Sequence, residues 1–163
     1  MNIPFVEEVY QRVDFDRELV FKFFTIFSLF EYALKNTQYK RNRGGKVEAN
    51  WDQFVTDIEG HFSPVPMSEV ENSINYLLRF PPKKQIIDKN NQLTFENKVR
   101  RPNGLPDIVW LSILIRRVRN NLFHGGKFRY ERPRDPELIQ HSLIILNAWA
   151  QCNQGIEQEL INL

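Results

Sequence analysis

The sequence is short of cysteine, of glycine and of long apolar runs. It has a single cysteine, Cys152, so no disulfide can form within the chain and a reducing compartment is expected. Its seven glycines are few for a turn-rich all-β fold. The longest apolar stretches fall well short of the roughly 20 residues that a membrane span needs, and no signal peptide is predicted at the amino terminus. We therefore expect a cytoplasmic protein that does not contact a membrane.

What the sequence does contain is an ordinary globular composition with clustered positive charge. Apolar residues make up 42% of the chain and charged residues 26%, as in soluble domains, and the length suits one domain over residues 1–163. The net charge is only +2, but basic residues cluster at 40–46, 83–84, 100–101, 116–119 and 127–134. Clusters that converge in space would suit a phosphate backbone; the alternative is a solvated surface.

Apolar residues three or four positions apart predict helices along most of the chain. A short helix is expected to begin at Pro4, and a longer one, capped by Asp16, to run to about Tyr39. The long helix is apolar on more than one face, so it needs cover from the core and from a second subunit. Lys40 to Lys46 is predicted to be a basic loop, because two glycines lie inside it.

Two capping pairs predict the next two helix starts: Asn50 with Gln53, and Ser68 with Glu71. Residues 83–104 are predicted to form either a small hairpin or a long ordered loop. A further long helix is expected from Pro106 to the glycines at 125–126, and a last one from Asp135 to the terminus. The predicted fold class is all-α, an up-and-down helical bundle of four to six helices.

No metal or cofactor site is predicted. Gly44-Gly45-Lys46 and Gly125-Gly126-Lys127 lack the earlier glycine, the Ser/Thr after lysine and the preceding strand of a phosphate loop. The three histidines come from separate predicted elements, with no short ligand pair among them. No nucleophilic triad is visible.

The pair Arg119 and His124 is the strongest candidate for chemistry. Five residues on a regular helix rotate by about 140°, but the glycines after His124 allow its imidazole to turn towards the arginine. A histidine can take the proton of a ribose 2′-OH or give one to a departing 5′-oxygen. An arginine can grip the phosphate and stabilise its extra charge. The alternative is that His124 only ends the helix and Arg119 forms a surface salt bridge.

The segment from Arg119 to His124 resembles the R-x4–6-H signature of HEPN domains, in which a polar residue, often asparagine, follows the arginine. Asn120 fills that position. The glycines and Lys127 that follow are similar to those of standalone bacterial or plasmid-borne HEPN proteins, and residues 30–35 resemble part of their first helix. The resemblance implies a HEPN-like helical bundle whose penultimate long helix ends in the motif.

This resemblance also implies a function. HEPN ribonucleases are typically metal-independent and dimeric, and they cut single-stranded or loop RNA, often tRNA, to leave a 2′,3′-cyclic phosphate. By this comparison Arg119 and His124 are catalytic and Asn120 assists, while Glu31 is a candidate for orienting the arginine. We add Lys127, Arg116 and Arg129 as RNA-binding candidates, since they are basic residues around the motif.

The expected protein is thus an endoribonuclease of the toxin or defence-effector type, without a cofactor. Its expected partners are RNA, a second copy that completes the active site, and an antitoxin or regulator protein. One alternative is a catalytically silent HEPN-like module that binds RNA or a nucleotide. The other is a dimeric interaction scaffold, suggested by the apolar surface of residues 17–39.

Overall fold

The computed structural model describes residues 3–12, 16–96, 98–123 and 135–162. Within these ranges lie seven helices and two antiparallel hairpins. The helices are α1 (Pro4–Gln11), α2 (Arg17–Asn36), α3 (Trp51–Ile58), α4 (Glu69–Arg79), α5 (Asp107–Phe123), α6 (Asp135–Gln151) and α7 (Gln154–Ile161). The strands are β1 (Lys40–Arg43), β2 (Lys46–Ala49), β3 (Gln85–Ile87) and β4 (Leu93–Phe95). None of the described helices has the length and apolar character of a membrane span.

The prediction of an all-α bundle of four to six helices is wrong. The described chain is a mixed fold, in which two small two-stranded sheets accompany seven helices. The basic loop expected at 40–46 belongs to the β1–β2 hairpin, whose two-residue turn is Gly44-Gly45 at φ values of 60° and 81°. Such turns need positive φ, which glycine adopts without strain. Every side chain of β1 is exposed, so the strand has no alternating apolar pattern to reveal it.

The prediction of a single last helix from Asp135 is also wrong, because the helix is interrupted between α6 and α7. The side chain of Asn153 caps α7 by accepting a hydrogen bond from the backbone nitrogen of Ile156 at 3.1 Å. Its Nδ2 donates to the hydroxyl of Tyr39 at 2.9 Å. Tyr39 is buried immediately before β1, so the helix break is tied to the start of the first hairpin.

Three helix starts are confirmed at the predicted capping residues. Asp16, Asn50 and Ser68 each accept a hydrogen bond from the backbone nitrogen three residues later, at 2.9, 3.4 and 3.2 Å. A side-chain acceptor there satisfies one of the helix's unpaired N–H groups. Helix α2 ends at Asn36, three residues before the predicted Tyr39. Of the two alternatives for 83–104, the structure has a hairpin, β3–β4.

One hydrophobic core holds these elements in place. Helix α2 packs on α6 and α7, α4 packs on α6, and α3 packs on α5. Trp51, the first residue of α3, stacks on Phe30 with ring centroids 5.2 Å apart and on Phe27 with centroids 5.3 Å apart. This aromatic stack fixes α3 against α2. The carboxyl-terminal half of α5 consequently lies beside both helices and the β1–β2 hairpin.

Candidate active site

The candidate active site is a cleft of about 300 Å³ near the carboxyl-terminal end of α5. Three helices and the first hairpin form it. Helix α2 supplies Phe27, Glu31 and Lys35; the hairpin supplies Arg41, Val47, Glu48 and Ala49; α3 supplies Trp51; and α5 supplies Arg116, Arg119 and Asn120. We call it the Arg119 cleft. The hairpin that the sequence did not reveal is therefore one of its walls.

The four predicted site residues that the structure describes all line this cleft: Glu31, Arg116, Arg119 and Asn120. The other three predicted residues, His124, Lys127 and Arg129, lie outside the described residues. The described part of α5 ends at Phe123, and His124 is the next residue of the sequence.

The guanidinium of Arg119 is held by two neighbours. Its Nη1 donates a hydrogen bond to Oδ1 of Asn120 at 3.0 Å, and its central carbon lies 5.7 Å from the centre of the Phe27 ring. A cation over an aromatic face is stabilised by about 0.5–1 kcal/mol where water still reaches it. Asn120 thus contacts the predicted catalytic arginine directly, and its assisting role stays a prediction.

Two of the four cations in the cleft are neutralised by carboxylates. Arg41 pairs with Glu48 at 3.1 Å, and Arg116 pairs with Asp52 at 3.0 Å. The other two cations are Lys35 on α2 and Arg119 on α5. Neither has a carboxylate within salt-bridge distance among the described residues. An incoming anion can pair with these two without displacing a protein carboxylate.

Glu31 lies in the cleft but contacts a different residue from the one predicted. Its Oε1 accepts a hydrogen bond from the indole nitrogen of Trp51 at 3.3 Å. The ion pairs of the described residues include none between Glu31 and Arg119. Glu31 therefore hydrogen-bonds to the Trp51 ring of the aromatic stack, and its predicted role in orienting Arg119 stays a prediction.

Lys35 lines the cleft but was not among the predicted site residues. Phe27, Glu31 and Lys35 follow one another at intervals of four residues on α2, and this spacing places them on one helix face. This spacing could have indicated Lys35, because a ligand that contacts Glu31 on this face also lies near Lys35. The sequence alone does not show that α2 and α5 meet at this face.

A second polar cluster lies away from the cleft, between α4 and α6. Nδ1 of His141 is 2.9 Å from Oγ of Ser73, and that hydroxyl donates to the backbone oxygen of Glu69 at 2.7 Å. The His141 ring also packs on Tyr76 at 4.2 Å. Burial lowers the pKa of His141, opposed by Glu137 and Glu69. Since Ser73 is fully buried, we assign this cluster to helix packing.

The described residues contain no group of three or more His, Cys, Asp or Glu side chains that could hold a metal ion. Comparisons with known proteins identify no relative: no family model matches the chain, and neither the curated proteins nor the solved structures include a significant match.

Proposed function

We propose that the protein is a metal-independent endoribonuclease that cleaves single-stranded or loop RNA by attack of a ribose 2′-OH on the neighbouring phosphate. The proposal rests on the position and the contacts of the Arg119 guanidinium. The guanidinium is held by Asn120 in an open cleft, without a carboxylate partner among the described residues. It also lies five residues before His124 in the sequence.

The proposed reaction needs a base, an acid and a group that stabilises negative charge. A base removes the 2′-OH proton as the 2′-oxygen bonds to phosphorus, the bond from phosphorus to the 5′-oxygen breaks, and an acid protonates that oxygen. The products are a 2′,3′-cyclic phosphate and a 5′-hydroxyl. His124 is the proposed proton-transfer group, and Arg119 stabilises the charge that builds up on the phosphate oxygens.

Two proton transfers with one motif histidine per chain favour a homodimer with a composite site. An exposed aromatic surface beside the motif supports this part of the proposal. Phe21 on α2 is 69% exposed and Phe24 is 46% exposed. Phe24 packs edge-to-face on Phe123, the residue before His124, at 5.2 Å. Apolar clusters of this kind on a protein surface are commonly interaction sites, so a second copy covering them would bring its own motif close.

The proposal includes a biological role of the toxin or defence-effector type, in the cytoplasm. A ribonuclease that accepts single-stranded RNA through an open cleft would damage the cell that makes it. We therefore expect an antitoxin or regulator protein to restrain it.

A chimeric oligonucleotide tests the chemistry. Its substrate is a DNA strand with one ribonucleotide, and its control has a 2′-O-methyl group at that position. The proposal expects cleavage after the ribonucleotide alone, with a cyclic phosphate on the 3′ end of the product. Cleavage of the 2′-O-methyl strand would contradict attack by the 2′-oxygen.

A further inference from the structure

A larger basic cavity lies farther towards the amino-terminal end of α5. Its volume is about 750 Å³, and its basic lining residues come from three segments: Lys84 before β3, Lys98 and Arg100 after β4, and Arg117 on α5. Glu96 is the one carboxylate among its lining residues. We call it the distal basic cavity. The excess of cations makes it attractive to polyanions.

A third cavity of about 420 Å³ lies between the distal basic cavity and the Arg119 cleft and shares lining residues with each. Lys84 and Arg117 line both the third cavity and the distal one. Arg116 and Asn120 line both the third cavity and the Arg119 cleft. The three cavities therefore lie next to one another along α5, and we refer to them together as the groove. Four basic clusters that are separate in the sequence, at 40–46, 83–84, 98–101 and 116–119, contribute side chains to it.

Arg117 is a cation of the groove that two contacts hold in position. Its Nη1 donates to the backbone oxygen of Pro82 at 3.3 Å, and its guanidinium carbon lies 5.4 Å from the centre of the Trp110 ring. Burial lowers the pKa of Arg117, and the charge of Glu96 opposes this effect. An arginine still stays charged at neutral pH. Charge held in such a partly buried position attracts an anion more strongly than charge in bulk water does.

We propose that the distal basic cavity binds phosphates of the same RNA strand whose scissile phosphate lies at Arg119. This inference rests on the proposed function and identifies how the enzyme holds its substrate outside the cleavage site. Trp110 and Arg119 are nine residues apart on α5, which corresponds to about 14 Å along the helix axis. At roughly 3.4 Å per stacked nucleotide, this distance spans about four nucleotides.

The proposal makes substrate length decisive. An RNA strand of about 12 nucleotides, within the range of known single-strand binding sites, is long enough to reach both the Arg119 cleft and the distal basic cavity, whereas a dinucleotide reaches only the Arg119 cleft. Lys98 and Arg100 are exposed, so both can be replaced by glutamate without disturbing the core. Lys22 and Lys89 are also exposed and line none of the three cavities, so Lys22→Glu/Lys89→Glu is the matched control with the same change in net charge.

Binding is measured by fluorescence anisotropy in the cleavage-deficient His124→Ala background, and cleavage is measured with His124 intact. Lys98→Glu/Arg100→Glu should weaken binding of the long RNA at least about tenfold relative to the control variant. It should also reduce the slope of log affinity against log salt by about 1.4, the value for two lost phosphate contacts on a single strand. Binding and cleavage of the dinucleotide should be unchanged, which also shows that the variant folds.

Equal long-RNA affinity in the two double variants would overturn the proposal. It would also be overturned if the substitutions abolished binding of a free mononucleotide and left binding of the long RNA intact, since the cavity would then be a separate nucleotide site. The outcome is independent of catalysis. If the wild type cuts RNA and both double variants behave alike, the groove fails and the ribonuclease stands. If no RNA is cut but long-RNA binding depends on Lys98 and Arg100, the ribonuclease fails and the groove stands.

Discussion

Arg119 donates a hydrogen bond from Nη1 to Oδ1 of Asn120 at 3.0 Å. Consecutive residues of an α-helix point about 100° apart, so this contact requires both side chains to turn towards each other. Phe27 lies beneath the guanidinium. The arginine is therefore held in a defined position in the cleft before any substrate arrives, and a phosphate that binds there loses less free energy to side-chain ordering.

Asn120→Ala should lower kcat/KM for RNA cleavage. A hydrogen bond to a charged group contributes about 1.5–3 kcal/mol, so its loss should cost about tenfold to a hundredfold in rate. Asn75→Ala is the matched control, because Asn75 is exposed on α4 and lines no part of the Arg119 cleft. An unchanged kcat/KM for Asn120→Ala would show that Arg119 does not need this partner.

Trp51 should contribute to stability both through stacking and through its bond to Glu31. Trp51→Ala removes a side chain that is 3% exposed and should lower the free energy of unfolding by about 3–5 kcal/mol. Trp51→Phe keeps an aromatic ring against Phe27 and Phe30 but removes the hydrogen bond to Glu31, so its cost should be about 1–3 kcal/mol. Urea denaturation measures both values. Equal losses for the two variants would contradict a separate contribution from stacking.

His141 should make the folded protein less stable in mild acid. Burial lowers its pKa from the ordinary value of 6.5, so in the pH range between the two pKa values the unfolded chain binds more protons than the folded chain. The free energy of unfolding therefore rises with pH through this range, and the contribution is lost as pH falls below about 6.5 towards the folded pKa.

The variant His141→Phe tests this titration, because it keeps a ring against Tyr76 and cannot bind a proton. Between about pH 7 and pH 5.5, wild type should lose more stability than His141→Phe does. The same substitution should leave RNA cleavage intact, since the His141 cluster lies outside the Arg119 cleft. A parallel pH dependence of the two proteins would contradict the assigned pKa direction.

The exposed aromatic surface of α2 should be a dimer contact. Phe21→Ser should shift the protein from dimer to monomer in analytical ultracentrifugation. If two motifs form one site, it should also reduce cleavage in proportion to the loss of dimer. Val65→Ser is the matched control, because Val65 is 69% exposed, like Phe21, but lies between α3 and α4. A wild type that is monomeric at working concentration, or a Phe21→Ser variant that stays dimeric, would exclude this surface as the interface.

The features that could be predicted from the sequence are those set by local interactions. The caps at Asp16, Asn50 and Ser68 act on a backbone group three residues away, so their residue types are enough to reveal them. The grouping of Arg116, Arg119 and Asn120 follows from their positions on one helix. Of the motif, Arg119 and Asn120 line the cleft.

The features that could not be predicted depend on contacts between distant parts of the chain. The break between α6 and α7 is tied to a hydrogen bond between Asn153 and Tyr39, which are 114 residues apart in the sequence. The β1–β2 hairpin packs against α2, but β1 has no apolar residue and is exposed throughout, and the alternation in β2 covers only four residues. Because the β1–β2 hairpin was not predicted, the predicted fold class was wrong and one wall of the Arg119 cleft was not foreseen.

The proposed metal-independent cleavage is tested with total RNA in the presence of EDTA. Wild type, Arg119→Ala and His124→Ala are purified in the same way and incubated with the same RNA, and the 3′ ends of the fragments are mapped. We expect discrete fragments with 2′,3′-cyclic phosphate ends from the wild type, and at least about a hundredfold less cleavage by either variant. Uncut RNA with the wild type, or equal cleavage by all three proteins, would contradict the proposal.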